Sequence, residues 1–306
     1  MRKIGVLGGG NVGATAAFVA ATRDLGDVVL YDIAEGMPAG KALDMTQTGP
    51  VLAFDSRIEG SHDPEILSDC DVIIVAAGFP RKPGMDREDL LRKNMEIAQS
   101  AGTIIKKYSP DCVVITVTNP LDVMTWVVQQ TSGFEASRVV GMAGILDSAR
   151  FSAFLAMEIG CSAKDVKAMV LGGHGDSMVP LPRFSTVNGI TISELVPEDR
   201  LAAMVDRTRK GGGEIVKLLG TGSAFYAPGS SAVLMAEAVL HDTGRILPCS
   251  TWVDGPYGLK GVYVGVPVAL GQGGVKRIVE LDLDASELAA LQASAAGVAE
   301  GIEDVK

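Results

Sequence analysis

The amino-terminal segment combines an apolar run, a glycine-rich turn and an acidic residue at a fixed spacing. Gly8, Gly10 and Gly13 form the pattern Gly-x-Gly-x-x-Gly between a predicted strand and a predicted helix, and Asp32 ends the next apolar run 19 residues after Gly13. In such a unit the first glycine allows a tight turn, the second lets the backbone approach a pyrophosphate, and the third lets helix and strand pack closely. The motif therefore predicts a parallel α/β sheet that binds a dinucleotide.

The same segment indicates which dinucleotide is bound. The predicted helix opens at Asn11 and Val12, so its amino-terminal N–H groups would face the pyrophosphate. Asp32 would accept hydrogen bonds from the adenosine ribose hydroxyls, and its carboxylate would repel a 2′-phosphate. The sequence predicts NAD rather than NADP.

The periodicity of the apolar residues changes near residue 145. Before it, short strands alternate with helices, which predicts a parallel sheet covered on both faces. The predicted strands are 3–7, 28–32, 71–76, 113–118 and a run from 138, and the predicted helices are 11–24, 87–108 and 120–131. We therefore expect an α/β fold, with a Rossmann-type parallel-sheet domain over 1–144 and a mixed α+β substrate-binding domain over 145–306.

The second half has longer helices and a different kind of strand. Asn188-Gly189 is a strong signal for a two-residue hairpin, and the apolar run 166–171 predicts one strand. Helices are predicted over 198–219, 230–241 and about 284–303, and an antiparallel block over 261–281.

Charge and cysteine content restrict the function classes. The net charge is −10, which argues against a nucleic-acid or anionic-membrane surface. The four cysteines are far apart, without the spacing of a metal site, which predicts buried apolar side chains in a reducing compartment. No uninterrupted apolar run approaches the ~18 residues needed to span a bilayer. We expect a cytoplasmic protein without a metal site.

A basic segment follows the third predicted strand. The sequence FPRKPGMDREDLL places Arg81, Lys82 and Arg87 beyond the carboxyl end of that strand, where open α/β sheets bind ligands. Its prolines and glycine interrupt both helical and strand periodicity, as expected of a loop that can close over a site. The alternative is a solvated basic surface loop.

Three polar positions in the following segments are candidates for chemistry. His174 stands among glycines in GGHG just beyond a predicted strand, and it is either a turn residue or a proton carrier. Asp147 and Arg150 share one face of a helix whose apolar neighbours indicate burial, although a surface ion pair would show the same spacing. Asn119 ends a strand before Pro120, where an ordinary turn is equally compatible with the sequence.

Taken in order, these segments resemble the lactate/malate dehydrogenase family, and within it the lactate-dehydrogenase-like malate dehydrogenases. The resemblance extends over essentially the whole chain. The fragments that carry it are GGGNVG, YD, AAGFPRKPGMDREDLL, TVTNPLDV, GILDSARF, GGHGDSMVPL, YAPGSSA, LPCS and YVGVPVALG.

The resemblance implies a role for each matching position. His174 would take the proton from the substrate hydroxyl, and Asp147 would hold the imidazole and stabilise its charged form. Arg150 would bind the substrate's C1 carboxylate through two parallel hydrogen bonds. Arg87 would polarise the reacting carbonyl, and Asn119 would contact the substrate near the nicotinamide. Asn94 and the backbone from Val117 to Asn119 would belong to the cofactor site.

The resemblance also implies the reaction (S)-malate + NAD⁺ to oxaloacetate + NADH, in a homotetramer or, alternatively, a homodimer. Arg81 indicates the substrate, because lactate dehydrogenases of the family resemble this pattern but carry a neutral glutamine there. Enclosing the second carboxylate of oxaloacetate without a cation costs several kcal/mol, which is about a thousandfold or more in rate.

Three alternatives remain at this point. The nearest is a lactate or broader 2-hydroxyacid dehydrogenase. An NAD-dependent glycosidase would be expected to use a metal bound by Cys and His, and no cysteine lies near His174 in the sequence. A non-catalytic NAD sensor would need Asp32 and the glycines, but it would have no use for His174, Asp147 and three placed arginines.

Overall fold

The computed structural model describes residues 2–79 and 87–306, with the backbone alone for 87–89. Within those residues, one sheet has nine strands, namely six parallel strands and three antiparallel strands at one edge. Its parallel strands are β1 Lys3–Leu7, β2 Asp27–Tyr31, β3 Ile58–Ser61, β4 Val72–Val75, β5 Val113–Thr116 and β6 Val139–Gly141.

The central strands form because their side chains are apolar and largely β-branched, and they are buried on both faces, whereas the edge strand β3 is more polar and partly exposed. Strand β4 reads Val-Ile-Ile-Val and strand β5 reads Val-Val-Ile-Thr, and every residue of both strands is buried. Such continuous apolar runs are typical of parallel sheets that helices cover on each side. The covering helices of the amino-terminal half are α1 Asn11–Thr22, α2 Met37–Gln47, α3 Gly49–Leu52, α4 Arg87–Tyr108 and α5 Leu121–Ser132.

The predicted Rossmann-type sheet is confirmed, with small differences in element bounds. Strand β2 ends at Tyr31, so Asp32 lies just beyond the strand. Helix α4 has the predicted bounds. Helices α2 and α3 and strand β3 were absent from the sequence prediction. Pro38 and Gly40 in α2 weaken both the helical propensity and the apolar periodicity on which that prediction depends.

The carboxyl-terminal half begins with a helix and a group of short strands. They are α6 Gly144–Ile159, β7 Val166–Lys167, β8 Val170–Leu171, β9 Val179–Pro180, β10 Thr186–Val187, β11 Ile190–Thr191 and α7 Ile192–Leu195. The hairpin at Asn188-Gly189 is confirmed between β10 and β11. The prediction of one strand over 166–171 is wrong: β7 and β8 lie in different small sheets. Between them, the hydroxyls of Ser152 and Ser185 accept the backbone N–H groups that would have continued a strand.

The last part of the chain returns to the main sheet. Its elements are α8 Glu198–Leu219, α9 Tyr226–Leu240, β12 Arg245–Val253, β13 Val262–Gly271, β14 Gly274–Ile278 and α10 Ala285–Glu303. Strand β12 was not predicted, although the hairpin of β13 and β14 was. Strand β12 pairs antiparallel with β6 at Ser250 and Gly141, so antiparallel strands extend the parallel sheet across residue 145.

Helices from both halves pack against this shared sheet. Helix α9 lies on α1, where Gly229 fits so closely that a Cβ would be 2.9 Å from Cβ of Thr15. The large buried cluster draws residues from β1 through α10, and a smaller cluster lies around Phe151, Leu155 and Val166. In the part of the chain that the structure describes, no helix has the length and apolarity to cross a membrane.

Candidate active site

The glycine turn after β1 has the geometry that the motif predicts. Gly8 has φ +109°, and a Cβ there would lie 2.3 Å from the backbone nitrogen of Ala77. A Cβ at Gly13 would lie 1.8 Å from the carbonyl oxygen of Gly8, so helix and turn touch without room for a side chain. Gly10 differs, because a Cβ there would meet no described heavy atom within 4 Å. The open position faces the amino terminus of α1.

The amino terminus of α1 fits a dinucleotide pyrophosphate. Gly10 is its N-cap residue, and no described side chain caps the helix. Its first N–H groups, from Asn11 and Val12 onward, are therefore available to an anion. This end of the helix is where NAD would place its phosphates.

Asp32 has a second role that the sequence did not reveal. Its Oδ2 accepts the backbone N–H of Gly9 at 2.6 Å, and its Oδ1 accepts the N–H of Ala34 at 3.0 Å. The ammonium of Lys41 donates to the Gly9 carbonyl at 2.7 Å. The carboxylate predicted to contact the ribose therefore also holds the glycine turn in place.

A histidine, an aspartate and an arginine meet at the start of α6. His174 follows β8, and its Nδ1 lies 2.8 Å from Oδ2 of Asp147. Arg150, one turn along α6 from Asp147, places its Nη1 3.4 Å from Oδ1 of the same carboxylate. The Asp147 side chain is 2% exposed, whereas those of His174 and Arg150 are 11% and 13% exposed. One buried carboxylate thus orients two side chains that keep some exposure to solvent.

The electrostatics of this cluster favour a charged imidazole. Burial is the largest single influence on His174 and disfavours the imidazolium, and the main opposing influences are the charge and the hydrogen bond of Asp147. On balance the pKa of His174 is raised above its usual value. Burial lowers the pKa of Arg150 against the opposing effect of Asp147, yet a guanidinium keeps its charge in proteins.

Two of the three glycines beside His174 pack the loop onto α10, whereas a Cβ at Gly175 would meet no described atom within 4 Å. Gly172 has φ +87°, and a Cβ there would lie 2.9 Å from Oγ of Ser294. A Cβ at Gly173 would lie 2.7 Å from a methyl group of Val298. The N–H of Gly173 donates to Oγ of Ser294 at 2.9 Å. Close packing on the last helix, more than open space for a ligand, requires these two glycines.

Two asparagines meet beyond the carboxyl ends of β4 and β5, Asn94 on α4 and Asn119 shortly after β5. The Asn94 side chain is buried, accepts the N–H of Phe79 at 2.6 Å and donates to the carbonyl of Asn119 at 2.9 Å. Asn119 is exposed at the carboxyl end of β5, after the buried Val117, and precedes a cis peptide bond to Pro120. Asn94 thus joins the loops after the two strands; its direct contact with NAD stays a prediction.

The predicted residues of the basic segment lie wholly or partly outside the described part of the chain. Arg81 and Lys82 lie outside the described residues, as does the side chain of Arg87. His62 and His241 are exposed and distant in sequence from the cluster.

Cysteines and carboxylates do not form a metal centre within residues 2–79 and 87–306, where no group of three or more His, Cys, Asp or Glu side chains could hold an ion. Cys70, Cys112 and Cys249 are buried free thiols and Cys161 is half-buried. Burial raises the pKa of Cys70 to about 11, so its thiol stays protonated.

Sequence reasoning missed two features beside the cluster of His174, Asp147 and Arg150. Asp122, in the first turn of α5, is buried and accepts the backbone N–H of His174 at 2.8 Å. Gly211 and Gly212 on α8 face Arg150, where Cβ atoms would lie 3.4 Å from its Cδ and 3.7 Å from its Nη2. Asp122 could have been suspected from its place three residues after Asn119, whereas nothing in the sequence indicates which helix faces Arg150.

This arrangement can be compared with known proteins. Residues 2–141 match the NAD binding domain model of lactate/malate dehydrogenase, and residues 145–306 match the model of its alpha/beta C-terminal domain. A malate dehydrogenase from Thermomicrobium roseum is 55% identical over 305 residues, which is 100% of this chain and 98% of the relative. One from a Roseiflexus species is 52% identical over 304 residues, or 99% and 98% of the two chains.

Solved structures agree with the sequence relatives. The malate dehydrogenase of Salinibacter ruber superposes with a TM-score of 0.95 at 49% identity, covering 99% of this chain and 97% of that one. A lactate dehydrogenase from Cryptosporidium parvum, complexed with lactic acid and NAD, superposes with a TM-score of 0.95 at 42% identity, covering 99% and 98%. The chain belongs to the lactate/malate dehydrogenase family. It is an NAD-dependent oxidoreductase.

Proposed function

We propose that this chain is an NAD-dependent malate dehydrogenase, which interconverts (S)-malate and oxaloacetate. The observation that carries the proposal is the buried Asp147 carboxylate, which holds both His174 and Arg150. Support for malate in particular comes from relatives named malate dehydrogenase at 52–55% identity over nearly their full lengths.

His174 moves the substrate proton. Its Nδ1 is hydrogen-bonded to Asp147. Nε2 is therefore the ring nitrogen that is left to face the substrate hydroxyl. In malate oxidation the neutral imidazole takes the proton from the C2 hydroxyl, and Asp147 stabilises the imidazolium that results. In oxaloacetate reduction the imidazolium returns that proton. NAD bound at the glycine turn would supply the acceptor for the hydride that leaves C2, and NADH would supply the hydride in the reverse direction.

Arg150 binds the C1 carboxylate. Its only described ion-pair partner is Asp147 at 3.4 Å, and its buried Nε has no hydrogen-bond partner among the described residues. A planar guanidinium with unused N–H donors suits a carboxylate held by two parallel hydrogen bonds. Gly211 and Gly212 on α8 place no side chain against the Arg150 guanidinium.

The remaining binding residues complete the site. Arg87 polarises the reacting carbonyl, and Asn119 contacts the substrate beside the nicotinamide. The turn at Gly8, Gly10 and Gly13 holds the pyrophosphate together with Asn11 and Val12, and Asp32 holds the ribose. Asn94 and Val117 line the nicotinamide side.

Arg81 sets the preference for a second carboxylate. Its cation balances the C4 carboxylate of oxaloacetate in the closed site, and an enclosed arginine without that partner penalises pyruvate. The experiment is to compare kcat/KM for oxaloacetate and pyruvate in wild type and R81Q. We expect oxaloacetate preference in wild type and a shift toward pyruvate of about a hundredfold or more in R81Q. An unchanged ratio in R81Q would reject Arg81 as the selecting residue, and a wild-type preference for pyruvate would favour lactate dehydrogenase.

We further propose a homotetramer, with a homodimer as the second possibility, in the cytoplasm. Leu43 on α2, Val51 on α3 and Leu218 on α8 are exposed apolar side chains of the kind that interfaces cover. The free thiols suit a reducing compartment. The mass in solution, measured by light scattering after gel filtration, distinguishes four copies from two.

A further inference from the structure

Behind the catalytic histidine lies a second buried carboxyl group, that of Asp122. One oxygen, Oδ2, accepts the backbone N–H of His174 at 2.8 Å. The other, Oδ1, is buried without a hydrogen-bond partner among the described residues. Asp122 is 5% exposed, so water has little access to it.

A second buried polar atom without a described partner lies near the Asp122 carboxyl group. Ser250, on β12 where that strand meets β6, is fully buried, and its Oγ also lacks a partner among the described residues. The hydroxyl is near enough to the Asp122 carboxyl to lower its pKa, as is His174. Burial, with Asp147 adding to it, has the larger effect, so the pKa of Asp122 is raised.

The two carboxyl groups around His174 therefore have contrasting surroundings. Both oxygens of Asp147 face positively charged or chargeable groups, namely Arg150 and the imidazole. Asp122 makes no ion pair with any described residue, and its near neighbours are a backbone N–H and the uncharged Ser250 hydroxyl. A buried carboxylate without a charged partner is strongly disfavoured. A proton on Oδ1 removes the charge, and it gives both Oδ1 and the Ser250 hydroxyl a hydrogen-bond partner.

We propose that Asp122 is a positioning residue that works as a neutral carboxylic acid: it accepts the His174 N–H through Oδ2 and donates its own proton to Oγ of Ser250. In this state it fixes the backbone of the catalytic histidine without adding a second negative charge. A second anion would hold the imidazolium too strongly and would oppose a dianionic substrate. The role deepens the proposed function, because it depends on His174 as the proton carrier.

Infrared difference spectroscopy of the unliganded protein tests the protonation state without turnover. At neutral pH, the spectrum of the wild type minus that of D122N should show the C=O stretch of a protonated carboxyl group. The matched control is wild type minus D147N, which should show carboxylate bands instead. Carboxylate bands in the D122N difference would overturn the proposal, whatever substrate the enzyme uses.

The pH profile tests the same point through His174. The groups acting on its ring are Asp147 and Arg150 from α6 and Asp122 from α5. If Asp122 is neutral, D122N leaves the midpoint of the profile of oxaloacetate reduction where it is in wild type. A midpoint that moves to lower pH in D122N shows that a negative charge was lost, and it overturns the proposal.

A third variant tests the hydrogen bond to the backbone. D122L has similar bulk but no acceptor, so the buried N–H of His174 loses its partner, and we expect kcat to fall about tenfold or more relative to D122N. NADH affinity should stay the same in both variants, since the cofactor turn is elsewhere. Equal kcat in D122L and D122N would reject the positioning role. If D122L does not fold, the infrared and pH measurements still decide.

Discussion

At the scale of single residues, the chemistry depends on a buried carboxylate with two partners. Asp147 is 2% exposed and contacts His174 at 2.8 Å and Arg150 at 3.4 Å. His174, Asp147 and Arg150 could all be named from the sequence, because each stands in a short motif. Their mutual distances could not, since His174 and Asp147 are 27 residues apart and meet only in the folded chain.

Replacing the histidine should abolish proton transfer without disturbing the cofactor turn. We expect H174N to lower kcat by about 10²- to 10⁴-fold, the usual contribution of a general acid–base group. NADH affinity, measured by fluorescence titration, should be nearly unchanged. H241N, at an exposed histidine, is the matched control and should behave as wild type. Normal turnover in H174N would remove His174 from the mechanism.

Replacing the carboxylate should move the pH dependence in a defined direction. Because Asp147 raises the pKa of His174, D147N should lower it. Reduction of oxaloacetate needs the protonated imidazole, so its rate falls as pH rises through that pKa, and the fall should begin at lower pH in D147N. Oxidation of malate needs the neutral form and should reach its plateau at lower pH. The check is kcat/KM against pH in both directions; profiles with unmoved midpoints would contradict this coupling.

At the scale of elements, the strand–turn–helix unit of β1 and α1 was the most predictable part of the fold. Its glycines are local in sequence, and the structure explains each by a contact or by open space. Helix α2 and strand β12 could not be predicted in the same way. Pro38 and Gly40 obscure α2, and β12 becomes a strand through its pairing with β13 and β6.

Two alanine substitutions in this unit should affect different properties, namely stability in one case and NADH binding in the other. In G13A the new Cβ would lie 1.8 Å from the Gly8 oxygen, so α1 must shift, and overpacking of this kind costs about 1–3 kcal/mol of stability. In G10A the methyl group meets no described atom within 4 Å, so stability should hold while the methyl hinders the pyrophosphate and weakens NADH binding. Melting temperature and NADH Kd, measured on both variants, check this. A fall in stability alone in G10A would argue against a phosphate there.

At the scale of the whole molecule, one sheet joins the two halves. Strands β12, β13 and β14 extend the parallel sheet, and α9 packs on α1. The boundary near residue 145 separates the two matched family models, and whether it also separates two folding units stays a prediction.

Because each half contains one tryptophan, the unfolding of the two halves can be measured separately by fluorescence. Trp126 lies on α5 and Trp252 on β12. Because the sheet and the main core are continuous, we expect W126F and W252F to show coincident urea transitions by fluorescence, at the same midpoint as the circular dichroism signal. Transitions at separate midpoints would show that the halves unfold independently despite the shared sheet.

By itself, the sequence predicted the α/β fold and the binding of NAD, and through its resemblance to a family it pointed to the residues that we propose as proton carrier, carboxylate partner and carboxylate-binding arginine. Each of these depends on residue types at short spacing, where local geometry follows directly from the chain. Only the tertiary structure decided that the sheet continues past residue 145, that two glycines beside His174 pack on Ser294 and Val298, and that Asp122 holds the His174 backbone. The two hydrogen bonds among those contacts join residues 121 and 52 positions apart, and such residues meet only through the packing of the whole molecule.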